Sequence, residues 1–372
     1  MLEQKNPFGK LVVVYLLWMA SIVFGNIWLL YFKAAGLSQM DLALSFLFWP
    51  LPALLSIWLF SYVPKIDYRV VMAFGALLAA LSNFIIVIFP PSPLLLFVSS
   101  FLSGATCFFF WVPLNIKYFG ASQQQAATLG TVYFSLSSIL GIVVPVLGGG
   151  IWNAFGSQAF FLVAGTLFLL PAAAVFILEK GSYKHELGEA LKETKGFKTL
   201  NFIEGLYGGI LISSTLISLT YFKDPLYFGI FFSATTLFSV IASLFVSRMS
   251  DKTRKRRGYI AATSGLTGLA TVAMGFATNL VSWYAAVGIR NFFSILFWPF
   301  TTAIIVDNRR DLSKLMVGRE FMLNVGRVFG VVAVIAFQLV FSSVYPALAA
   351  LGWVLALYPL VLELKRKHVS VE

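Results

Sequence analysis

The chain has 372 residues, of which 59% are hydrophobic, 16% aromatic and only 11% charged, and its formal net charge is +12. This is more apolar surface than a soluble core of that size can bury, so the composition excludes a soluble globular protein and predicts a protein of the lipid bilayer. The positive charge does not indicate nucleic-acid binding, because it falls in the breaks between apolar runs and not on one face of a folded domain. A single cysteine, Cys107, excludes a disulfide framework and a cysteine-rich metal site within one chain.

Apolar runs long enough to cross about 30 Å of hydrocarbon occur twelve times along the chain. Only helices and closed barrels satisfy their backbone groups in lipid, and the sequence lacks the alternating segments of about ten residues that are typical of a barrel. We therefore predict an all-α polytopic membrane protein with twelve transmembrane helices. The predicted spans are residues 11–32, 42–63, 70–89, 94–114, 127–148, 158–178, 200–221, 226–246, 259–278, 282–306, 319–340 and 346–362.

The basic residues are distributed unequally between the two sides of this layout. With a cytoplasmic N-terminus, Lys33 and Lys223 are the only basic residues on the opposite face, while Arg290 and Arg327 fall within predicted spans. Short loops rich in Lys and Arg are retained in the cytoplasm. We therefore expect an integral protein of the cell (plasma) membrane with both termini in the cytoplasm.

The longest break between spans is a charged stretch that divides the chain into two equal halves. We predict an N-terminal six-helix bundle over residues 1–178, a cytoplasmic linker over 179–198 and a C-terminal six-helix bundle over 199–372. The linker is expected to carry a short amphipathic surface helix. An offset of half the chain lays Pro113 on Pro299, with a tryptophan just before each proline. Weak internal symmetry between two six-span halves is typical of transporters.

The loop between the eighth and ninth predicted spans, residues 247–257, carries the densest charge in the chain. Its spacing resembles the loop signature of the major facilitator superfamily of transporters. The matching residues are Ser247 in the usual glycine position, Asp251 as the acid, Lys252 as the first base, and Lys255 with Arg256 as the basic pair. Arg254 stands where the family usually has a second glycine. The alternative is a charge run that only sets topology, which any polytopic protein could carry.

The fifth span contains a second resemblance to this superfamily, in the run GIVVPVLGGG over residues 141–150. Val144 replaces the glycine that the family's glycine-proline motif has before the proline. Pro145 removes one backbone hydrogen bond and the glycines permit close helix contact, so we expect a bend and a packing surface that could act as a pivot. In the family this pattern is stronger in proton-antiporting exporters, but glycine and proline are also common in membrane helices generally.

The resemblance to the superfamily covers nearly the whole chain. It implies two six-helix bundles that rock about a central site to give alternating access, with the charged loop acting as a cytoplasmic latch through Asp251, Lys252 and Arg256. It also implies a secondary transporter of a small molecule, without a cofactor, surrounded by lipid and monomeric. An enzyme is not expected, because the sequence has no phosphate loop, no HExxH motif and no histidine placed for a buried triad.

Polar residues inside the spans are the candidate substrate ligands. Arg290 should lie near the middle of the tenth span, where an unpaired charge costs at least about 2.5 kcal/mol. Ser294, Phe297 and Thr301 follow at helical spacing on the same face. The tenth span lines the central cavity in the superfamily, which implies that this face meets substrate. The alternative is that Arg290 bonds backbone carbonyls or pairs with a carboxylate.

Three other spans supply further candidate substrate ligands. They are Asn26 in the first span, Trp111 in the fourth and Tyr207 in the seventh. No aspartate occurs in the first span, where many proton-coupled members of the superfamily carry one. A proton therefore remains only a candidate coupling ion.

The seventh and eleventh spans carry the candidate coupling residues. Glu204 is expected about one turn inside the membrane, where burial would favour the neutral carboxyl and let it exchange protons during a transport cycle. Glu320 and Arg327 lie two turns apart, roughly 10 Å by helical rise, so we expect no direct contact between them and assign Asn324 as a bridge. The alternative for Glu320 is an ion pair with Arg319 at the cytoplasmic end of the helix.

Charge placement gives a slight preference for an anionic substrate. Arg290 and Arg327 lie inside the bilayer, whereas Glu204, Asp307 and Glu320 cluster toward the cytoplasmic ends of their spans. An anionic substrate would supply the missing partner through the bidentate geometry that arginine favours. Two alternatives remain open. One is a proton-coupled multidrug or metabolite exporter, which the fifth-span pattern favours, and the other is a non-transporting receptor or lipid scramblase on the same bundle.

Overall fold

The computed structural model describes residues 7–63, 65–120, 126–184, 186–253, 256–307 and 311–364. Within these ranges, side chains are not described for Pro7 and Leu296, nor for residues 126–132, 134, 241–253, 256–257, 299–300, 303 and 305–307. The described chain is almost entirely helical. This confirms the predicted all-α polytopic class.

In the first half of the sequence, the described residues form eight helices and one short strand. They are α1 (Pro7–Gly25), α2 (Leu29–Ala34), α3 (Gln39–Ser45), α4 (Pro50–Phe60), β1 (Ile66–Asp67), α5 (Tyr68–Ile88), α6 (Pro93–Thr106), α7 (Val112–Gly120) and α8 (Ala126–Ala174). A π-helical turn, Cys107–Trp111, joins α6 to α7. Gly156 in α8 has a φ of 85°, which a residue without Cβ adopts freely, so α8 consists of two helices that meet there.

The described part of the second half contains one short strand and ten helices. They are β2 (Ser182–Tyr183), α9 (Leu187–Glu193), α10 (Lys198–Ile210), α11 (Ile212–Tyr221), α12 (Pro225–Thr253), α13 (Arg256–Met274), α14 (Leu280–Asp307), α15 (Leu312–Phe341), α16 (Tyr345–Leu351), α17 (Trp353–Ala356) and α18 (Tyr358–Leu364). Each predicted span falls on one or more of the helices of the two halves. Within the described ranges, eight segments are long and apolar enough to cross a membrane.

Several predicted spans are interrupted helices. The first span breaks between α1 and α2, and the second breaks between α3 and α4, where Pro50 begins the new helix. A proline at the first helical position loses no hydrogen bond, because that N–H has no intrahelical partner. In membrane proteins, such breaks are tolerated where the backbone is buried in protein or lines a cavity. The breaks therefore indicate that the backbone at these positions is buried in protein or lines a cavity.

Capping side chains fix several of the helix ends. Ser38 and Asp41 form a reciprocal capping box at the start of α3. Asp311 accepts a hydrogen bond from the Lys314 backbone N–H at 3.1 Å and so caps α15. Such caps satisfy the otherwise unpaired N–H groups of a helix start.

The helices of the two sequence halves meet along two seams. In one seam α8 packs against α12, and in the other α4 packs against α15. Gly149 lies directly against the backbone of Pro225 and Leu226, and Gly229 lies against the Pro145 carbonyl. The expected packing role of the fifth span is thus visible in these contacts, because only glycine lets two helix backbones approach this closely.

The central linker is folded onto both halves. Strand β2 pairs antiparallel with β1, and the predicted surface helix is α9, which packs on the first turns of α15. Lys314 lies 2.7 Å from Glu189, and this hydrogen-bonded ammonium holds the pKa of the Glu189 carboxyl below its ordinary value. The short β pairing was not predicted, since strands of two residues leave no periodic signal in the sequence.

Candidate functional site

Glu204 lies at the centre of a fully buried polar cluster in the second half of the chain. Its carboxylate is paired with the Arg319 guanidinium at 3.1 Å and accepts a hydrogen bond from the Tyr358 hydroxyl at 3.0 Å. The Thr301 hydroxyl lies beside this carboxylate and donates its proton to the Trp298 carbonyl at 3.2 Å. Four helices, α10, α14, α15 and α18, therefore supply one cluster. A cationic partner and a hydroxyl donor offset part of the desolvation cost of a buried carboxylate.

Glu320 and Arg327 form a second ion pair on α15. The Arg327 guanidinium is 2.9 Å from the Glu320 carboxylate, and Asn324 bonds both residues, at 2.9 Å to Glu320 and 2.8 Å to Arg327. The expectation that these residues cannot touch was wrong. So was the alternative pair between Glu320 and Arg319, because Arg319 is turned to Glu204.

The Arg327 side chain also meets Trp49, which precedes α4 in the other half of the chain. The guanidinium carbon lies 5.6 Å from the centroid of the indole ring, within the range of a cation–π contact. Both residues line a cavity of ≈ 280 Å³ that also contains Trp111, Trp298 and Glu320. The two tryptophans that precede corresponding prolines in the two halves therefore face the same space.

Arg290 lies in a different cavity, of ≈ 200 Å³, between α11, α12 and α14. Its Nε atom is buried and has no hydrogen-bond partner, and among the described residues no carboxylate pairs with its guanidinium. Asn291 and the hydroxyl residues Ser214, Ser218 and Thr235 share the wall. Arg290 does not form an ion pair with Glu204 or Glu320, because each of those carboxylates is paired with another arginine.

A third cavity, of ≈ 310 Å³, lies mainly among the helices of the first half. Asn26, which lies in the break between α1 and α2, lines it together with Asn83, Ser99 and Trp49. A smaller cavity of ≈ 180 Å³ contains Trp49 and Arg327.

These cavities adjoin one another. Thr215 lines the 310, 200 and 180 Å³ cavities, Phe232 lines the first two, and Trp49 lines the 310, 280 and 180 Å³ cavities. The shared walls define one interior region between the two halves, which we call the central cavity. Ligand pockets are typically concave spaces of about 300–1,000 Å³ lined by apolar groups with a few converging polar ones, and the central cavity fits this description.

The structure separates the residues predicted to lie on one face of the tenth span. Arg290 lines the central cavity, but Ser294 and Thr301 are 8% and 1% exposed, and Phe297 is fully buried against Tyr358. The four residues do lie at helical spacing, but Phe297 and Thr301 contact α18 and α10 and do not face open space. The role of Ser294 and Thr301 as substrate ligands remains a prediction.

Other predicted residues are distributed around the site. Tyr207 is fully buried beside Arg290, and its hydroxyl lies 2.8 Å from the Thr271 hydroxyl. Asn324 is buried and accepts a hydrogen bond from Arg327. Pro145 lies in the seam between α8 and α12. The side chains of Asp251, Lys252 and Arg256 lie outside the described residues, so their predicted latch role remains a prediction.

The sequence interpretation missed Trp49 and Tyr358 and considered Arg319 only as a partner of Glu320. Trp49 had a usable signal, because a tryptophan directly before a proline inside an apolar run marks a helix break with an aromatic side chain at it. The contacts of Arg319 and Tyr358 with Glu204 had no signal, since 115 and 154 residues separate them from Glu204 in the sequence.

Comparison with known proteins yields matches among solved structures. No family model matches the chain, and no curated protein matches it. The E. coli fucose:proton symporter is similar with a TM-score of 0.69 and 13% identity, covering 96% of this chain and 98% of that one. A POT family transporter in complex with 5-aminolevulinic acid is similar with a TM-score of 0.71 and 11% identity, covering 98% and 96%.

Both similar structures are membrane transporters, not enzymes. At 13% and 11% identity the likeness is one of fold. The chain therefore has the fold of these two structures over nearly its whole length. Its membership of the major facilitator superfamily stays a prediction from the sequence.

Proposed function

We propose that the chain is a secondary active transporter that moves a small organic anion across the plasma membrane by alternating access. Residues 1–178 and 199–372 are the two moving bundles, residues 179–198 connect them, and both termini are cytoplasmic. The central cavity between the halves holds the substrate. The transporter fold and the interrupted helices around this cavity support the proposal.

The observation that carries the anionic character is the unpaired Arg290. Arginine stays charged at any workable pH, and a buried guanidinium without a counter-charge is costly. Arg319 and Arg327 each hold a carboxylate, but Arg290 has none among the described residues. A carboxylate or phosphate group of a substrate would supply two charge-assisted hydrogen bonds to it.

Reconstituted transport tests this proposal. Purified protein in proteoliposomes should exchange a labelled organic anion for unlabelled anion of the same kind, and Arg290→Gln should reduce this exchange at least tenfold, because a hydrogen bond to a charged group contributes about 1.5–3 kcal/mol. Arg69→Gln is the matched control, since Arg69 pairs with Asp67 away from the central cavity. Equal exchange by the Arg290 variant and the unaltered protein would disprove the anionic assignment.

The same preparation separates the two alternatives. A proton-coupled exporter of cationic or neutral compounds would accumulate such a compound under an imposed proton gradient, with no requirement for Arg290. The buried Glu204 cluster is the observation that favours proton coupling. A receptor or scramblase would show no solute exchange of either kind.

A further inference from the structure

The 310 Å³ part of the central cavity is polar without being charged. Its wall contains the amides of Asn26 and Asn83 and a group of hydroxyl residues, and none of the described residues that line it is acidic or basic. This separates it chemically from the adjoining 200 Å³ part, which contains Arg290.

The serine hydroxyls of this wall offer acceptors to a ligand more than donors. Ser45, Ser82 and Ser100 donate their protons to backbone carbonyls of their own helices, at 2.7, 2.7 and 2.8 Å. A serine oxygen that has used its proton keeps lone pairs that accept hydrogen bonds. A carboxylate has no proton to donate, so the charged end of an anion does not match these serine oxygens.

Two further oxygen atoms at this wall lack partners. The Ser99 side chain is 2% exposed and its Oγ makes no hydrogen bond. Asn83 uses its Nδ2 to bond the Ala79 carbonyl at 2.8 Å and the Ser82 hydroxyl at 3.4 Å, which leaves its Oδ1 free of described partners. A buried polar group without a partner is costly, and a ligand donor would remove that cost.

The donors that match this wall are neutral hydroxyl groups. An ammonium group also donates, but it would bring a positive charge into a wall with no carboxylate to pair it, at a large desolvation cost. Thr215 and Phe232 line both the uncharged part and the part that contains Arg290, so the two parts lie side by side.

We propose, resting on the proposed function, that the substrate is a polyhydroxylated carboxylate of the sugar-acid class. Its carboxylate binds Arg290 and its hydroxyl groups bind the wall formed by Ser99, Asn83 and their neighbours. The second half of the chain recognises the charge and the first half recognises the hydroxyls. Substrate binding therefore joins the two halves.

A panel of three six-carbon probes tests this directly on the purified full-length chain. Gluconate carries both features, hexanoate carries the carboxylate without hydroxyls, and sorbitol carries hydroxyls without the carboxylate. By calorimetric titration, gluconate should bind at least about tenfold more tightly than either of the other two, since two or more neutral hydrogen bonds add up to that factor.

Single-residue variants test which part of the protein binds the carboxylate and which part binds the hydroxyl groups of the probe. Ser99→Ala should weaken gluconate about fivefold and leave hexanoate unchanged, whereas Arg290→Gln should weaken both acids and leave sorbitol unchanged. Ser213→Ala is the matched control, because Ser213 is also a buried serine whose hydroxyl lacks a partner, and none of the cavities described above includes it. Ser99→Ala removes an unsatisfied group, so its ligand-free thermal midpoint should not fall.

The outcomes separate this inference from the proposed function. Equal affinity for gluconate and hexanoate, unchanged in Ser99→Ala, would overturn the hydroxyl site and leave the anion transporter intact. Equal affinity for sorbitol and gluconate would overturn both the sugar-acid assignment and the anionic part of the proposed function. Binding of none of the three probes would overturn both as well.

Discussion

The Arg327 guanidinium lies 2.9 Å from the Glu320 carboxylate although the two residues are seven positions apart on one helix. Helical side chains lean toward the N-terminus of their helix, so the long arginine side chain reaches back along α15 toward the glutamate. Asn324, between them, bonds both. The pair holds Arg327 at the edge of the central cavity, with its guanidinium over the Trp49 ring.

Removing the Glu320 charge should destabilise the protein. Glu320→Gln would leave Arg327 largely buried without a counter-charge, and we expect a loss of about 3 kcal/mol at most, because 22% of the arginine side chain remains exposed. The measurement is the thermal midpoint of the purified protein. Glu186→Gln is the control, since its pair with Lys184 is exposed at the surface. An unchanged midpoint in Glu320→Gln would show that the pair contributes nothing to stability.

Arg319 and Arg290 should respond oppositely to neutralisation. Arg319→Met would leave the fully buried Glu204 charge unpaired and should lower the thermal midpoint by several degrees. Arg290→Met removes a guanidinium that has no carboxylate partner among the described residues, so it should leave the midpoint unchanged or raise it while abolishing anion binding. A similar loss of stability in both variants would mean that Arg290 has a structural partner.

Trp49 should matter for the transport cycle through its contact with Arg327, because this contact joins the two halves of the chain. We expect Trp49→Ala to change the rate of anion exchange by about twofold to fivefold, the factor that corresponds to a cation–π contact of about 0.5–1 kcal/mol, and Trp49→Phe to restore part of the original rate. Trp58→Ala is the matched control, because Trp58 lies on α4, the helix that Trp49 precedes. It is 49% exposed and lines none of the cavities described above. Equal effects of the two alanine variants would remove Trp49 from the site.

Adjacent glycines in α8 allow a test of the seam between the halves. A Cβ on Gly149 would lie 2.7 Å from the Leu226 Cα, whereas a Cβ on Gly150 would meet nothing within 4 Å. Gly149→Ala should therefore separate α8 from α12 and slow transport severalfold, while Gly150→Ala should transport normally. Transport rates at equal amounts of reconstituted protein are the measurement. Equal rates for the two variants would show that this close contact is not needed for the transport cycle.

The sequence predicted the helices well because membrane spans depend on local composition. Runs of apolar residues must form helices in lipid wherever they occur, so each predicted span coincides with helix. The interruptions within these helices were harder to predict from the sequence. Pro50 was visible in the sequence, but the π-helical turn at Cys107–Trp111 has no such marker.

The pairing of charges could not be predicted from the sequence. Glu204, Arg319, Glu320 and Arg327 were all recognisable as polar residues in apolar runs, but which carboxylate meets which arginine depends on the rotation and contact of α10 and α15. These helices approach closely because glycines such as Gly205 and Gly326 lie against the opposite backbone. The same tertiary packing buried Thr301 beside Glu204, although its spacing placed it on the face of Arg290.

Binding of a simple carboxylate to the unaltered protein and to Arg290 variants tests the central claim most directly. With hexanoate as the probe in calorimetric titration, the account predicts binding to the unaltered protein, partial retention in Arg290→Lys, which keeps the charge without the bidentate geometry, and loss in Arg290→Gln. Hexanoate binding that is as tight in Arg290→Gln as in the unaltered protein would contradict the account.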